Sequence, residues 1–520
     1  MDPRDELDPE KDLLRGPLPD GLDLDHDGDS GLGPAFDRDG EGDDDAADEG
    51  LFLGDDDDAP VPPLDGEAAE DVLQRYLRIE AALAERWPET RIEPSLDRVR
   101  SAVEILGDPH RAFPVIHVAG TNGKTSTARM IEALLRSFGL RTGLYTSPHL
   151  HSVRERISLD GEPIDLERFV NVYDDIAPYL GIVDRTSEQR GGPKLSYFEV
   201  LTVLAYAAFA DAPVDVAVVE AGMGGTWDAT NVADGQVAVI TPVDLDHRDY
   251  LGPDIASIAA QKAGIIKEGA SVVLGRQQLE AAEVLLLRCA EEGATIAREG
   301  VEFGVESRMP AIGGQLLGLQ GPAGRYDEVF LPLFGEHQAA NAAVALAAVE
   351  TFLGGGSAPL DADLVRAGFA GVTAPGRLEV VRRSPTVVVD AAHNPHGARA
   401  LADAVQDGFE FTRLVGVLGI LDGKDARGIL EALEPVLAEV VVTRSSSPRA
   451  LDPDALAALA VEVLGSDRVQ VVPRLSAAIE TAIELADDAS AELGGGAGVL
   501  VTGSVTTAAE ARALLGRGEA

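Results

Sequence analysis

Residues 115–135 read VIHVAGTNGKTSTARMIEALL, a β-type run, a glycine loop and a helical pattern in one unbroken line. The first five residues are mostly β-branched and bounded by glycine, which predicts a short buried strand. From Thr125 onward apolar side chains recur at helical spacing through Met130, Ile131, Leu134 and Leu135. Between the two lie Gly120, Thr121, Asn122, Gly123, Lys124, Thr125 and Ser126. A strand that feeds such a loop and then a helix aims backbone N–H groups and the positive end of the helix dipole at one point, where a phosphate fits. Lys124 then adds a point charge at the β- and γ-phosphates of a nucleotide, with Thr125 near its metal. The common form of this loop has glycine five residues before Gly123, but Val118 stands there, so this is a variant phosphate loop.

Charge narrows the partners. The formal net charge is -46, which repels a nucleic-acid backbone. Residues 1–65 carry 24 Asp and Glu against 4 Lys and Arg. Runs such as DGEGDDDAADEG have no apolar period, so residues 1–66 are expected to be a disordered acidic extension, solubilising in effect. No basic start leads into an apolar core, so a signal peptide is not expected. Apolar runs such as VLTVLAYAAFA stay below the length of a membrane span. One cysteine, Cys289, lies inside a helical pattern, which rules out a disulfide framework within the chain and suits a reducing, cytoplasmic setting. A monomer is the default expectation, because no segment marks an interface.

Beyond the acidic segment, strands and helices alternate throughout, the pattern of a parallel α/β sheet whose strand ends collect the chemistry. Helical patterns open the region at Ala68–Arg86 and again after Ser95. Later come the strand ending at Ser147-Pro148, the helix in PKLSYFEVLTVLAYAAFADA, the strand VDVAVVE ending in Glu220, and QVAVITPVDLDH ending near Asp246 and His247. A glycine-rich break, FLGGGSAPL, precedes five further strand patterns: TVVVDAA, RLVGVLGI, EVVVTR, VQVVP and GVLVTGS. The expected architecture is a P-loop ATPase-like domain over residues 67–373, with a parallel-rich sheet, followed by a smaller Rossmann-like doubly wound domain over 374–520.

Nucleotide chemistry needs a metal held by oxygen ligands beside the phosphate loop, and Glu220 at the end of a buried strand is placed for it. The alternative is that Glu220 only caps the loop that follows. His247 and the Ser147 hydroxyl, after two other strands, are further candidates for the same metal. A GTP switch is disfavoured, since none of the five asparagines precedes a lysine and the base-reading Asn-Lys-x-Asp is therefore missing.

Taken together, GTNGKTST, YTSPHL, VVEAGMGGTWDATN, DLDHRDYLG, IAAQKAGIIK, GEHQAANA, PGRLE and DAAHNPHGA resemble, in order, the motifs of folylpolyglutamate synthases and dihydrofolate synthases, members of the Mur ligase superfamily. The resemblance spans about residues 70–515. It implies an ATP-dependent ligase that phosphorylates a carboxylate and lets the amino group of L-glutamate displace the phosphate. The substrates implied are dihydropteroate and reduced folates; a polyglutamylating enzyme without the dihydropteroate step is the alternative. A cell-wall ligase of the superfamily fits less well, because residues 1–65 cannot form its extra N-terminal domain.

By motif, Gly120 to Ser126 with Lys124 resemble the phosphate-binding loop. Ser147, Glu220 and His247 resemble ligands of one or two Mg²⁺ ions, and a monovalent cation is a further expectation. Asn341 resembles the adenine contact, with His337 nearby, while Arg377 and Asp390 resemble groups that reach ATP from the second domain. His393 joins Lys124, Glu220 and Lys262 as a catalytic residue. Lys262 resembles the lysine this family carbamylates, a modification that needs a neutral amine. It is one of only 6 lysines in a chain that otherwise uses arginine. Thr226-Trp227 stands where many relatives carry Arg-Leu, and Ala391 where they carry glycine; Lys424 matches a motif position without an assigned role.

Overall fold

The computed structural model describes residues 66–88, 93–493 and 496–517; the acidic segment expected over residues 1–66 lies outside the described residues except for Gly66, which opens the helix Gly66–Ala84. The sheet that holds the phosphate loop has eight strands: β1 (Val115–Ala119), β2 (Thr142–Tyr145), β3 (Ile157–Leu159), β4 (Glu162–Pro163), β5 (Val216–Glu220), β6 (Val237–Ile240), β7 (Ser271–Leu274) and β8 (Thr295–Arg298). Their order is β4-β3-β2-β5-β1-β6-β7-β8. All five residues of β1 are buried, because β5 and β6 flank it in parallel and helices cover both faces. That double coverage explains why these strands read as continuous apolar runs rather than alternating ones. The antiparallel pairings, β2 with β3 and β3 with β4, lie at one edge.

The helix Lys124–Ser137 buries Met130, Ile131, Leu134 and Leu135 in one core, against Val344 and Leu346 of the helix Glu336–Gly354 and Phe369 of the helix Ala362–Ala370. On the other face a second core gathers Tyr206 and Phe209 of the helix Tyr197–Asp211 with Phe169 and Val170 of the helix Leu166–Gln189. Ser196 caps the Tyr197 helix through a reciprocal bond pair with Glu199, which fixes where the apolar run starts.

A second sheet has six strands: β12 (Glu379–Arg383), β13 (Thr386–Val389), β14 (Arg413–Leu418), β15 (Glu439–Arg444), β16 (Val469–Arg474) and β17 (Ala497–Thr502), in the order β12-β13-β17-β14-β15-β16. The five expected strands are all present and mutually parallel. The sixth, β12, is an antiparallel edge strand not anticipated from PGRLE, where the turn signal masks the short run behind it. A three-stranded antiparallel sheet, β9 (Gly304–Ala311), β10 (Gly314–Gln320) and β11 (Arg325–Leu331), was also not anticipated. Strand β9 is exposed along most of its length, so it carries no apolar alternation to recognise.

Ser147-Pro148, where the sequence breaks strand β2, is a cis peptide. Cys289 is a packed thiol, which burial pushes up to about 11. No helix among the described residues is long and apolar enough to cross a membrane.

Phe209 is fully buried, lies edge-on to Phe113 at 5.8 Å between ring centroids, and sits over Gly143 of β2, where a Cβ would come within 2.7 Å of its ring. Phe209→Ala is expected to cost about 3–5 kcal/mol in denaturant unfolding. A loss below about 1 kcal/mol would show that this side of the sheet repacks freely.

Candidate functional site

Strand β1 delivers the chain to Gly120 with Cα atoms close to β6, and the loop has no room for side chains at its glycines. A Cβ on Gly120 would lie 1.8 Å from Thr241 Oγ1, and one on Gly123 would lie 2.5 Å from Asn341 Oδ1. Gly123 also has φ +84°, a left-handed conformation that glycine adopts without strain. It opens the helix at Lys124, and no side chain caps that end. The first N–H groups of the helix therefore face the loop, available to an anion. Lys124 curls over the same loop, donating to the carbonyls of Gly120 and Thr121 at 3.2 Å each.

The Thr125 hydroxyl donates to the carboxylate of Glu220, 3.0 Å from both oxygens, and the Ser147 backbone N–H reaches it at 3.3 Å. Glu220 is 1% exposed. Burial pushes its carboxyl above the ordinary range, and the charge of Lys124 opposes this. The Thr125 hydroxyl and the Glu220 carboxylate are hard oxygen ligands, which suits Mg²⁺ shared with substrate phosphates. Among the described residues no three His, Cys, Asp or Glu side chains group to hold a metal. His247 lies beside Asp246, its Nε2 3.8 Å from that carboxylate, and its backbone is left-handed with φ +50°.

Lys262 ends the helix Ile255–Lys262 and is 4% exposed. Its Nζ donates to the carbonyl of Gly120, an acceptor it shares with Lys124. Burial, then the charge of Lys124, drives the Lys262 amine well below its ordinary pKa. The loop of Thr226 is fastened to this helix end, since both its N–H and its hydroxyl donate to the carbonyl of Gln261.

Asn341 is buried against Gly123 and bonds Gln338, which reaches Ser126. His337 is held at about 4, chiefly by burial. Asp390 accepts from the backbone N–H groups of Leu378 and Ala392, both at 2.8 Å, and so supports the turn that carries Arg377. It is not a helix cap. That task falls to Asn394, whose side chain accepts from Gly397 at the start of the helix Pro395–Gly408. His393 places Nδ1 3.0 Å from the carbonyl of Ala391, so Nδ1 carries the proton and Nε2 is the acceptor. Burial, reinforced by Lys424 and opposed by Asp246, holds this imidazole neutral at about 4.

A cluster that sequence reasoning missed joins the two sheets. The carboxylate of Asp246 accepts from Lys424 at 2.9 Å, lies 3.8 Å from Nε2 of His393, and receives Asn394 at 3.4 Å. Burial alone would raise its carboxyl, but His247, Lys424 and His393 outweigh it and hold it far below the ordinary range. Asn122 of the phosphate loop meets His396 at 2.8 Å and Asn394 at 3.1 Å. The signal was present in DAAHNPHG and LDGKD, but which loop each motif faces is a tertiary fact.

A strand-loop-helix phosphate site facing a second parallel sheet defines an ATP-dependent ligase built from two α/β parts. Two family models match the chain, the Mur ligase middle domain over residues 118–349 and the Mur ligase, glutamate ligase domain over residues 376–505; the chain belongs to the Mur ligase family. The dihydrofolate synthase/folylpolyglutamate synthase of Mycobacterium tuberculosis is 53% identical over 477 residues, 88% of this chain and 98% of the relative. The solved Mycobacterium tuberculosis folylpolyglutamate synthase complexed with ADP superposes with a TM-score of 0.83 at 53% identity, covering 86% of this chain and 100% of that one. Escherichia coli FolC in complex with DHPP and ADP gives 0.72 at 31% identity, covering 85% and 97%.

Because a Cβ at Gly120 has no space, Gly120→Ala should weaken ADP binding by about tenfold or more in a calorimetric titration, with the fold retained. Unchanged affinity would mean that the loop does not wrap the phosphates.

Proposed function

We propose that this chain is an ATP-dependent amide ligase that joins L-glutamate to dihydropteroate and adds γ-linked glutamates to reduced folates, acting as a cytoplasmic monomer. The observation that carries the reading is the phosphate loop with Thr125 bonded to the buried Glu220, beside a cavity of ≈ 310 Å³ that Thr125, Ser126 and Arg377 help to line. The relationship to dihydrofolate synthase/folylpolyglutamate synthases over most of the chain supports the choice of substrates.

In this reading an oxygen of the acceptor carboxylate attacks the γ-phosphorus, the bond from that phosphorus to the β,γ-bridging oxygen breaks, and ADP leaves. The glutamate nitrogen then attacks the acyl carbon, the bond to the phosphate oxygen breaks, and inorganic phosphate departs. Dividing the reaction this way avoids direct attack on an unactivated carboxylate. Gly120, Thr121, Asn122, Gly123 and Ser126 cradle the phosphates, Lys124 neutralises charge as it moves between oxygens, and Arg377 and Asp390 organise the far side. Glu220, Thr125, Ser147 and His247 are the residues that would hold Mg²⁺, which when bound supplies Lewis-acid stabilisation of the phosphoryl oxygens. Asn341 takes the adenine contact.

His393 has the properties of the base that relieves the attacking ammonium of its proton. Its Nε2 is free to accept, and the imidazolium that forms would face the Asp246 carboxylate. Lys262 is carbamylated in this reading: burial keeps it a neutral amine, whose nitrogen adds to the carbon of CO₂ with loss of a proton. The resulting anion would relieve the crowding of two lysines at one carbonyl.

The deciding experiment is ATP-dependent phosphate release with L-glutamate, comparing dihydropteroate with tetrahydrofolate. Release with both acceptors is expected; release with tetrahydrofolate alone would remove the dihydropteroate step, and release with neither would overturn the substrate assignment. Glu220→Gln should lower kcat by about 10²-fold or more while the fold is kept. Lys262→Ala should lose turnover and regain part of it with added acetate or propionate; no regain would count against the carbamate.

A further inference from the structure

Arg129 is a cation without a partner. It lies one helical turn beyond Thr125, about 6 Å further along the axis, so both side chains face the same cavity. It is partly buried, and burial lowers its guanidinium below the ordinary value, though arginine stays protonated. No hydrogen bond or ion pair engages its side chain among the described residues.

Several other partly or wholly buried arginines have carboxylates: Arg98 pairs with Glu199 at 2.9 Å, Arg86 with Asp184 at 3.1 Å, and Arg512 with Glu379 at 2.7 Å. The three carboxylates whose charge Arg129 feels, Glu155, Glu220 and Glu132, are each committed elsewhere. Glu155 accepts the backbone N–H groups of Leu150, His151 and Ser152. Glu220 holds Thr125 and Ser147, and Glu132 holds Arg136 and Thr142. In a chain with 89 acidic residues, leaving a desolvated guanidinium unpaired costs stability that a single acid could recover.

We propose that Arg129 binds a carboxylate of the substrate, the spare carboxylate of a glutamate unit lying in the cavity between the phosphate loop helix and the second sheet. The inference rests on the reaction proposed above and deepens it. The reacting carbonyl belongs beside Thr125 and Glu220, and a glutamate unit carries its second carboxylate several bonds away, in the direction of Arg129. The planar fork of arginine meets such a group with two parallel bonds. Arg377, which also lacks a side-chain partner among the described residues, lines the same cavity and adds to its positive character. Two sources offer this chemistry: incoming L-glutamate, and the glutamyl tail of a folate acceptor.

Steady-state kinetics of Arg129→Gln tell them apart. If Arg129 holds the incoming amino acid, the KM for L-glutamate rises about tenfold or more with either acceptor. If it holds the acceptor tail, the KM for tetrahydrofolate rises while that for dihydropteroate, which has no glutamate, stays put. Either result supports the assignment. In both cases the KM for ATP should hold within about twofold, and Arg129→Lys should fall between the wild type and the glutamine variant, since it keeps the charge but loses the fork. Unmoved KM values for every carboxylate substrate, or a rise confined to ATP, would overturn it. If the unaltered enzyme released no phosphate with either acceptor, the proposed reaction would fail separately. The Arg129 site would then be decided by calorimetric titration of glutarate into the ADP-loaded protein. Binding to the wild type that Arg129→Gln abolishes supports the site, and equal binding or none overturns it.

Discussion

Two lysines converge on one carbonyl. Lys124 and Lys262 both donate to the oxygen of Gly120, inside a site where Gly120 itself is pressed against Thr241. Burial, then the charge of Lys124, drives the Lys262 amine well below its ordinary pKa. Lys262 is enclosed, while Lys124 remains partly open to the loop it serves. The rest of the site follows from this. The loop can bind phosphate only if it stays tight, and it stays tight because helix ends on both sides spend their donors on it.

The second constraint is the meeting of two separate sheets at one carboxylate. Asp246 leaves the end of β6 and collects Lys424, His393 and Asn394 from the other side, while Asn122 joins His396 and Asn394. The phosphate loop is therefore bonded directly to the part of the chain that would carry the second half of the reaction. A partly buried acid that faces one ammonium, an imidazole and an amide depends on all of them together.

Legibility varied with the physics of each element. Strands β1, β5, β6, β13, β14, β15 and β17 were readable because they are buried on both faces and so appear as apolar runs, and the phosphate loop because its glycines and lysine have few other uses. Strand β9 was not, because it is exposed along most of its length and shows no apolar alternation, nor was the short edge strand β12, which follows a turn signal. Asn394 caps its own helix through Gly397, three residues on. Asp390 was not legible as a support for Leu378 and Ala392, because those N–H groups reach it only after the chain has folded back.

The local chemistry was thus in the sequence: a strand, an anion-binding loop and a helix, with Glu220 and Lys262 close to the ends of their own elements. Local order depends on neighbours in the chain, and spacing records them. What only the tertiary structure decided is which charges meet. Lys424 gains a partner 178 residues away, Asn122 meets His396 and Asn394, and Arg129 is left with none among the described residues. Pairing between distant loops is set by how two sheets and their helices pack, and no spacing along the chain encodes that distance.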